Sequence, residues 1–166
     1  MCSSDLQARG DSGGEYSFHL TMLAQNRTGF KNLVKLASCA YLEGFYYKPR
    51  IDKELIEAHS EGLIVLSGCA ASEFSAYILG DRLDDATRLA EWFAKIFKDR
   101  FFIEIQDNGL ELQKDCAAGA IEIAARVGLP LVATCDTHYL CSADADAHEV
   151  LLCINTGKTI SDPKRL

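Results

Sequence analysis

The chain has 166 residues, of which 48% are hydrophobic and 25% charged, with a formal net charge of -7. This composition excludes a disordered or collagen-like chain, and no apolar run approaches the roughly 18 residues that a membrane-spanning helix requires. The acidic balance also disfavours a protein whose main task is gripping a nucleic-acid backbone, because such binding neutralises phosphates with Lys and Arg. The start Met1-Cys2-Ser3-Ser4-Asp5 lacks the basic and apolar regions of a signal peptide, so a cytoplasmic location without a membrane partner is expected. The seven cysteines are an odd number without C-x-x-C spacing and read as reduced thiols.

Residues 1–15 are polar and Gly/Ser-rich, which predicts a loop or frayed terminus. Alternation of Phe18, Leu20 and Met22 with His19 and Thr21 predicts a strand over about 16–24. A helix follows, with Leu33, Leu36, Ala37, Ala40 and Tyr41 on one face and Asn26 or Thr28 as its cap. Gly44 ends that helix, and Pro49 pushes Lys48 towards an extended backbone. Residues 27–53 carry a net charge of +4 against -11 for the remainder. Lys48 and Arg50 are therefore candidates for phosphate or DNA contact, with a solvated basic face as the other reading.

A short helix over about 52–58 precedes Leu63-Ile-Val-Leu66, a compact apolar run that reads as a strand buried on both faces. Helices at about 71–79 and 84–98 come next, then a strand over 101–106. A helix over about 110–127 places Leu112, Cys116, Ala120, Ile123, Ala124 and Val127 inward and stops at Gly128. Pro130 leads into a strand at 131–134, and a last helix over about 143–154 buries Ala147, Val150, Leu151 and Ile154. Strands alternating with helices imply an α/β fold with a parallel sheet, open or closed into a barrel, and ligands at the carboxyl ends of its strands.

The densest polar signal is Thr134-Cys-Asp-Thr-His138, directly after a strand. On an extended backbone Asp136 and His138 share a face with alpha carbons about 6.6 Å apart, close enough to bind one divalent ion or bridge two. An isolated D-x-H is weak, and a capping aspartate beside a hydrogen-bonded histidine is the competing reading. Ser67-Gly-Cys69 also follows a buried strand; Cys69 could supply a thiolate to zinc or be a small core residue. His19 alternates out of an apolar strand, where a backbone carbonyl or a metal could satisfy it. Histidine, thiolate and carboxylate together suit zinc, with manganese or iron as the other candidates. Glu104, in Phe-Ile-Glu-Ile, reads either as a carboxylate supporting such ligands or as a solvent-facing strand residue. His59 reads as a surface residue and His148 as a helix-face residue. There is no P-loop or G-x-G-x-x-G.

Several strings are similar to a known family. His19-Leu-Thr-Met-Leu-Ala-Gln-Asn26, Phe45-Tyr-Tyr-Lys-Pro-Arg-Ile-Asp52, Gly62-Leu-Ile-Val-Leu-Ser-Gly-Cys69 and Ala133-Thr-Cys-Asp-Thr-His-Tyr-Leu140 resemble, in order and spacing, the polymerase and histidinol phosphatase (PHP) domain of bacterial DNA polymerase III alpha subunits. So do Gly29-Phe-Lys-Asn-Leu-Val-Lys-Leu36 and the stretch from Ala147 to Lys158. The resemblance implies part of a distorted seven-stranded (β/α) barrel with mostly parallel strands and a metal cluster at their carboxyl ends. It carries His19, Cys69, Asp136 and His138 over as metal ligands; Cys135 stands where the family commonly has Asn.

The family's amino-terminal His-x-His, Thr-Asp-His-type and glutamate motifs have no counterpart before Tyr16. Residues 16–166 therefore read as a partial PHP domain and an internal fragment of a longer polymerase, which puts Met1 as a true start in question. The implied parent is a DNA-directed DNA polymerase of DNA replication. Its partners are DNA, deoxynucleoside triphosphates and other replicase subunits, and its palm domain, with magnesium, lies beyond Leu166. The PHP domain would scaffold the polymerase or support 3′-5′ exonuclease proofreading. A free-standing metal-dependent phosphoesterase and a non-catalytic docking module are the alternatives.

Overall fold

The computed structural model describes residues 2–8 and 16–164, with side chains from residue 17 onward. It contains two compact units, Met1–Thr134 and Cys135–Leu166. In the first, strands β1 (Cys2–Ala8), β2 (Tyr16–Ala24), β3 (Arg50–Ile51), β4 (Leu63–Leu66), β5 (Phe101–Gln106) and β6 (Leu131–Thr134) form one sheet in the order β3-β1-β2-β4-β5-β6. Helices α1 (Arg27–Leu42), α2 (Lys53–Ala58), α3 (Glu73–Leu79), α4 (Leu83–Phe97) and α5 (Glu111–Val127) connect them. The second unit contains α6 (Ala145–Thr156), preceded by a 3-10 turn at Ser142–Asp144. No helix among the described residues is long and apolar enough to cross a membrane.

The local chemistry of α1 sets its start and its distance from the sheet. Asn26 accepts a hydrogen bond from the Gly29 backbone N–H at 2.9 Å, a cap worth about 1 kcal/mol. A Cβ at Gly29 would lie 1.7 Å from the Gly62 carbonyl oxygen, so only glycine lets the first turn of α1 pack on the turn before β4. The buried residues of α1 are Gly29, Leu36, Cys39 and Ala40, a stripe narrower than the expected one. Tyr41 lies outside it and is exposed, because its side chain is rotated about 100° from that of Ala40.

The core lies on one face of the sheet. Leu20 and Met22 from β2, Leu63 and Val65 from β4, and Phe101 and Ile103 from β5 are buried there. Against them pack Ala86, Leu89, Ala90, Phe93 and Phe97 of α4 and Ala120, Ile123 and Ala124 of α5. Phe93 stacks on Phe101 at 5.1 Å between ring centroids, and full burial of such a ring stabilises by roughly 2–3 kcal/mol.

Several expectations are corrected. Residues 2–8, expected to be loop, form β1; residues 9–15 lie outside the described residues. The unforeseen two-residue strand β3 pairs in parallel with β1. The sheet is mostly parallel, with one reversal: β2 runs antiparallel to both β1 and β4, because a 61–62 turn leads into β4 after α1 and α2 have returned the chain to the same end. Leu112 is exposed because Gln113, hydrogen-bonded to the Asn108 N–H at 2.8 Å, takes the inward position in the first turn of α5. In α6 only Cys153 is buried, while Val150, Leu151 and Ile154 are exposed. Within its own unit α6 packs on the short Ser142–Asp144 turn, which is too small to cover a helix face. The six cysteines whose side chains are described are free thiols.

A polar network around a buried carboxylate ties α2 to α3. Glu73, 3% exposed, accepts hydrogen bonds from Lys53 Nζ and from the Tyr77 hydroxyl, both at 2.9 Å. Burial, and then the adjacent Glu73 carboxylate, push the Tyr77 phenol up from 10.0 to about 12. The folded state thus holds this proton more tightly than the unfolded chain, so its contribution is complete below pH 10 and disappears as pH rises through about 12. In urea titrations, wild type should be more stable than Tyr77→Phe by about 1 kcal/mol at pH 9. That advantage should shrink as the pH is raised towards 12. A constant difference would place the hydroxyl outside the network.

Candidate metal centre

The reversal of β2 brings the first two ligand candidates together. The register Thr21↔Leu66 places the early part of β2 level with the chain leaving the carboxyl end of β4. His19 is therefore beside the Ser67-Gly-Cys69 turn, and its backbone N–H donates to the Ala71 carbonyl at 3.1 Å. Gly68 has φ +91°, and a Cβ there would lie 2.7 Å from Ser72 Cβ and 2.9 Å from the His19 carbonyl oxygen. Glycine alone lets this turn lie against β2. Cys69 Sγ ends 3.8 Å from His19 Nδ1.

That separation fits a shared ion. A tetrahedral zinc with a thiolate at about 2.3 Å and an imidazole nitrogen at about 2.0–2.1 Å holds the two donors roughly 3.5–3.6 Å apart. Closing the observed gap by a few tenths of an ångström needs only a small torsional adjustment.

Asp136 and His138 belong to the second unit, where residues 135–138 have no regular secondary structure. His138 Nδ1 lies 2.9 Å from the Asp136 carbonyl oxygen and so donates to it. This fixes the tautomer and leaves Nε2 with the lone pair that a metal requires. The Asp136 carboxylate is 3.7 Å from the same Nδ1. His148 of α6 packs its ring 5.6 Å from His138 and 5.1 Å from Tyr139. The four candidates thus form two pairs, one in each unit. Within each unit, no third His, Cys, Asp or Glu among the described residues joins its pair closely enough to share an ion.

Glu104 is 7% exposed, which removes the solvent-facing reading. Alternation from the core residue Ile103 puts it on the opposite sheet face, the face that also bears His19. Its Oε1 accepts from the Thr134 hydroxyl at 2.5 Å and from Gln106 Nε2 at 3.1 Å. Gln106 also donates to Thr134 Oγ1 at 3.0 Å. Sequence reasoning missed Gln106 and Thr134 as partners, although Gln106, two residues from Glu104 in a strand, shares its face by period alone. Cys116 of α5, expected on the inward helix face, lines a small cavity with Cys69, Ser75 and Glu104. Burial pushes its thiol up, the Ser75 hydrogen bond opposes this, and the charges of Asp115 and Cys69 add to the rise.

Lys48 and Arg50 part company. Lys48 is exposed, whereas Arg50 is 5% exposed, donates to the Tyr46 carbonyl at 3.1 Å and stacks 4.7 Å over the Tyr46 ring. The registers His19↔Asp5 and Asp5↔Arg50 place Arg50 level with His19, two strands away. Arg50 is therefore not an exposed cation of the basic stretch: its guanidinium holds the 44–50 turn from inside. Lys48→Glu should change stability by no more than about 0.5 kcal/mol, as expected of an exposed side chain. Arg50→Glu should cost roughly 3 kcal/mol in chemical denaturation, since it buries a reversed charge. Equal effects would contradict this division.

Residues 2–108 match the model of the PHP domain. The chain belongs to the PHP domain family. The match begins ahead of Tyr16 and ends before β6. The chain is also 52% identical over 159 residues to the DNA polymerase III subunit alpha of Thermus aquaticus, covering 96% of this chain and 13% of that protein. The corresponding protein of Treponema pallidum is 47% identical, with 92% and 13% covered, and that of Deinococcus radiodurans 44%, with 96% and 12%. The chain thus spans about one eighth of the length of these relatives, and its mostly parallel α/β sheet is part of a PHP barrel.

Proposed function

We propose that this chain is the PHP module of a bacterial replicative DNA polymerase, and that it holds a divalent ion, zinc by its donor set, which supports the polymerase or 3′-5′ trimming of DNA. The 3.8 Å span between His19 Nδ1 and Cys69 Sγ carries the metal reading, because it matches two donors on one tetrahedral ion and arises from two distant segments. Asp136 and His138 form a separate candidate pair within the second unit, where the Nδ1 hydrogen bond of the histidine leaves Nε2 available as a donor. When bound, such an ion supplies an acidified water and a counter-charge for a phosphodiester. The chain's own part is to fix donor geometry: Gly68 lets the turn approach β2, and the Asp136 carbonyl orients the His138 ring.

Deoxynucleotide addition, with magnesium, deoxynucleoside triphosphates and other replicase subunits, belongs in this proposal to the longer parent protein. The identity to DNA polymerase III alpha subunits across nearly the whole chain favours this reading over a free-standing phosphoesterase.

The test is metal analysis of the purified chain together with incubation on 3′-labelled single-stranded DNA. About one zinc ion per chain is expected, lost in His19→Ala and Cys69→Ala, with no nucleotide addition and at most weak, metal-dependent trimming. Zinc content unchanged in both variants would remove the metal reading. Robust trimming by the chain alone would show that the parent is not needed for a working centre.

A further inference from the structure

We propose that Glu104 is a positioning residue for this centre: its buried carboxylate accepts a hydrogen bond from a water of the hydrated divalent ion held by His19 and Cys69. The inference rests on the metal reading of that pair, and its basis is the way the two carboxylate oxygens are treated. Oε1 is fixed by Thr134 and Gln106, while the backbone N–H of Glu104 donates to Ser67 Oγ at 2.9 Å. The last contact ties β5 to the turn that carries Cys69. Oε2 is buried and has no hydrogen-bond partner among the described residues.

An ionised carboxylate oxygen left this way is costly, and such groups persist where a cation or a charge-assisted donor meets them. Among the described residues no Lys or Arg side chain fills that role: the hydrogen bonds of Glu104 there are all to neutral groups. Beside it is a cavity of about 10 Å³ whose lining includes Glu104, Cys69, Gln106, Gln113, Ser75 and Cys116. That space suits a single water, and its walls supply the two to four polar partners a buried water requires. Water alone would be satisfied by the two amides. A carboxylate adds something only if the water is an acidified donor or a positive charge is near, and Cys69 on the same wall is where such an ion would sit.

Glu104→Gln separates charge from shape, because the amide oxygen continues to accept from Thr134 while the negative charge is lost. Metal-free Glu104→Gln should melt at the same temperature as wild type or higher, since a neutral amide costs less to bury than a carboxylate. Zinc affinity, measured by chelator competition on the full chain, should fall at least tenfold, and the visible spectrum of the cobalt-loaded protein should change. Glu104→Asp, which keeps the charge, should recover part of the affinity. Thr134→Val leaves the carboxylate in place but removes one of the two donors to Oε1, and should weaken zinc binding in the same direction by a smaller factor.

Glu104→Gln and Thr134→Val that both bind zinc as wild type does, with unchanged cobalt spectra, would overturn the inference and leave the His19–Cys69 site standing. Wild type that binds no zinc, or Cys69→Ser that binds it undiminished, would overturn both.

Discussion

The antiparallel pairing of β2 with β4 is the constraint on which the candidate centre depends. With β2 parallel to β4, His19, near the start of its strand, would lie at the far end of the sheet from Cys69. The observed register instead sets it against the turn after Leu66. The side-chain period of two then makes the register a switch as well as a ruler. Leu20 and Met22 must face α1, α4 and α5 to bury their apolar surface, so His19 has no choice but to face the other way. A one-residue slip would expose two core side chains and bury the imidazole, at a cost of several kcal/mol in lost apolar burial. The hydrophobic core therefore enforces the geometry of the polar face without touching it.

Polar groups on that second face are held more tightly than their solvent exposure demands. Ser67, Glu104, Gln106 and Thr134 form one hydrogen-bonded chain across β4, β5 and β6 at their carboxyl ends. Backbone pairing already joins β5 to β6 through Gln106↔Thr134, so side chains duplicate the connection where the strands end. Such duplication limits the rotamers of Glu104 and Thr134, and Thr134 is the last strand residue before the segment with Asp136 and His138. Rigid strand ends are the usual support for a site that must hold donors to within a fraction of an ångström. The Lys53–Glu73–Tyr77 cluster, with its buried Glu73 carboxylate, and the Arg50–Tyr46 stack do comparable work on other elements, each holding a buried charge with a partner at contact distance.

Much of the chain was legible from sequence because its signals are local. Period-2 alternation found β2, the apolar run found β4, and 3.6-residue periodicity with Asn26 and Gly128 at the ends found α1 and α5. The same signals could not find β3, since two residues carry no period, nor the strand at residues 2–8, whose polar sequence derives its order from pairing with β2. Inward faces were read well where a helix packs broadly, as for Ala120, Ile123 and Ala124 of α5, and poorly where the contact is narrow or the neighbour small, as for Tyr41 and for Val150, Leu151 and Ile154. Periodicity reports that a helix has an apolar face but not how much of it a neighbour covers.

The sequence by itself determined the residue types of the centre, the family they resemble, the α/β class and the apolar pattern that drives β2, β4 and β5 into one sheet. These follow from side-chain chemistry at fixed local spacing. Tertiary structure decided which of those residues meet. It brought His19 to Cys69 across 50 positions, turned Arg50 from a surface cation into a buried support, and left one oxygen of Glu104 without a hydrogen-bond partner among the described residues. Those outcomes depend on strand direction, register and the closeness of approach at Gly68, which are set by burial summed over the whole sheet and leave no mark within any one segment.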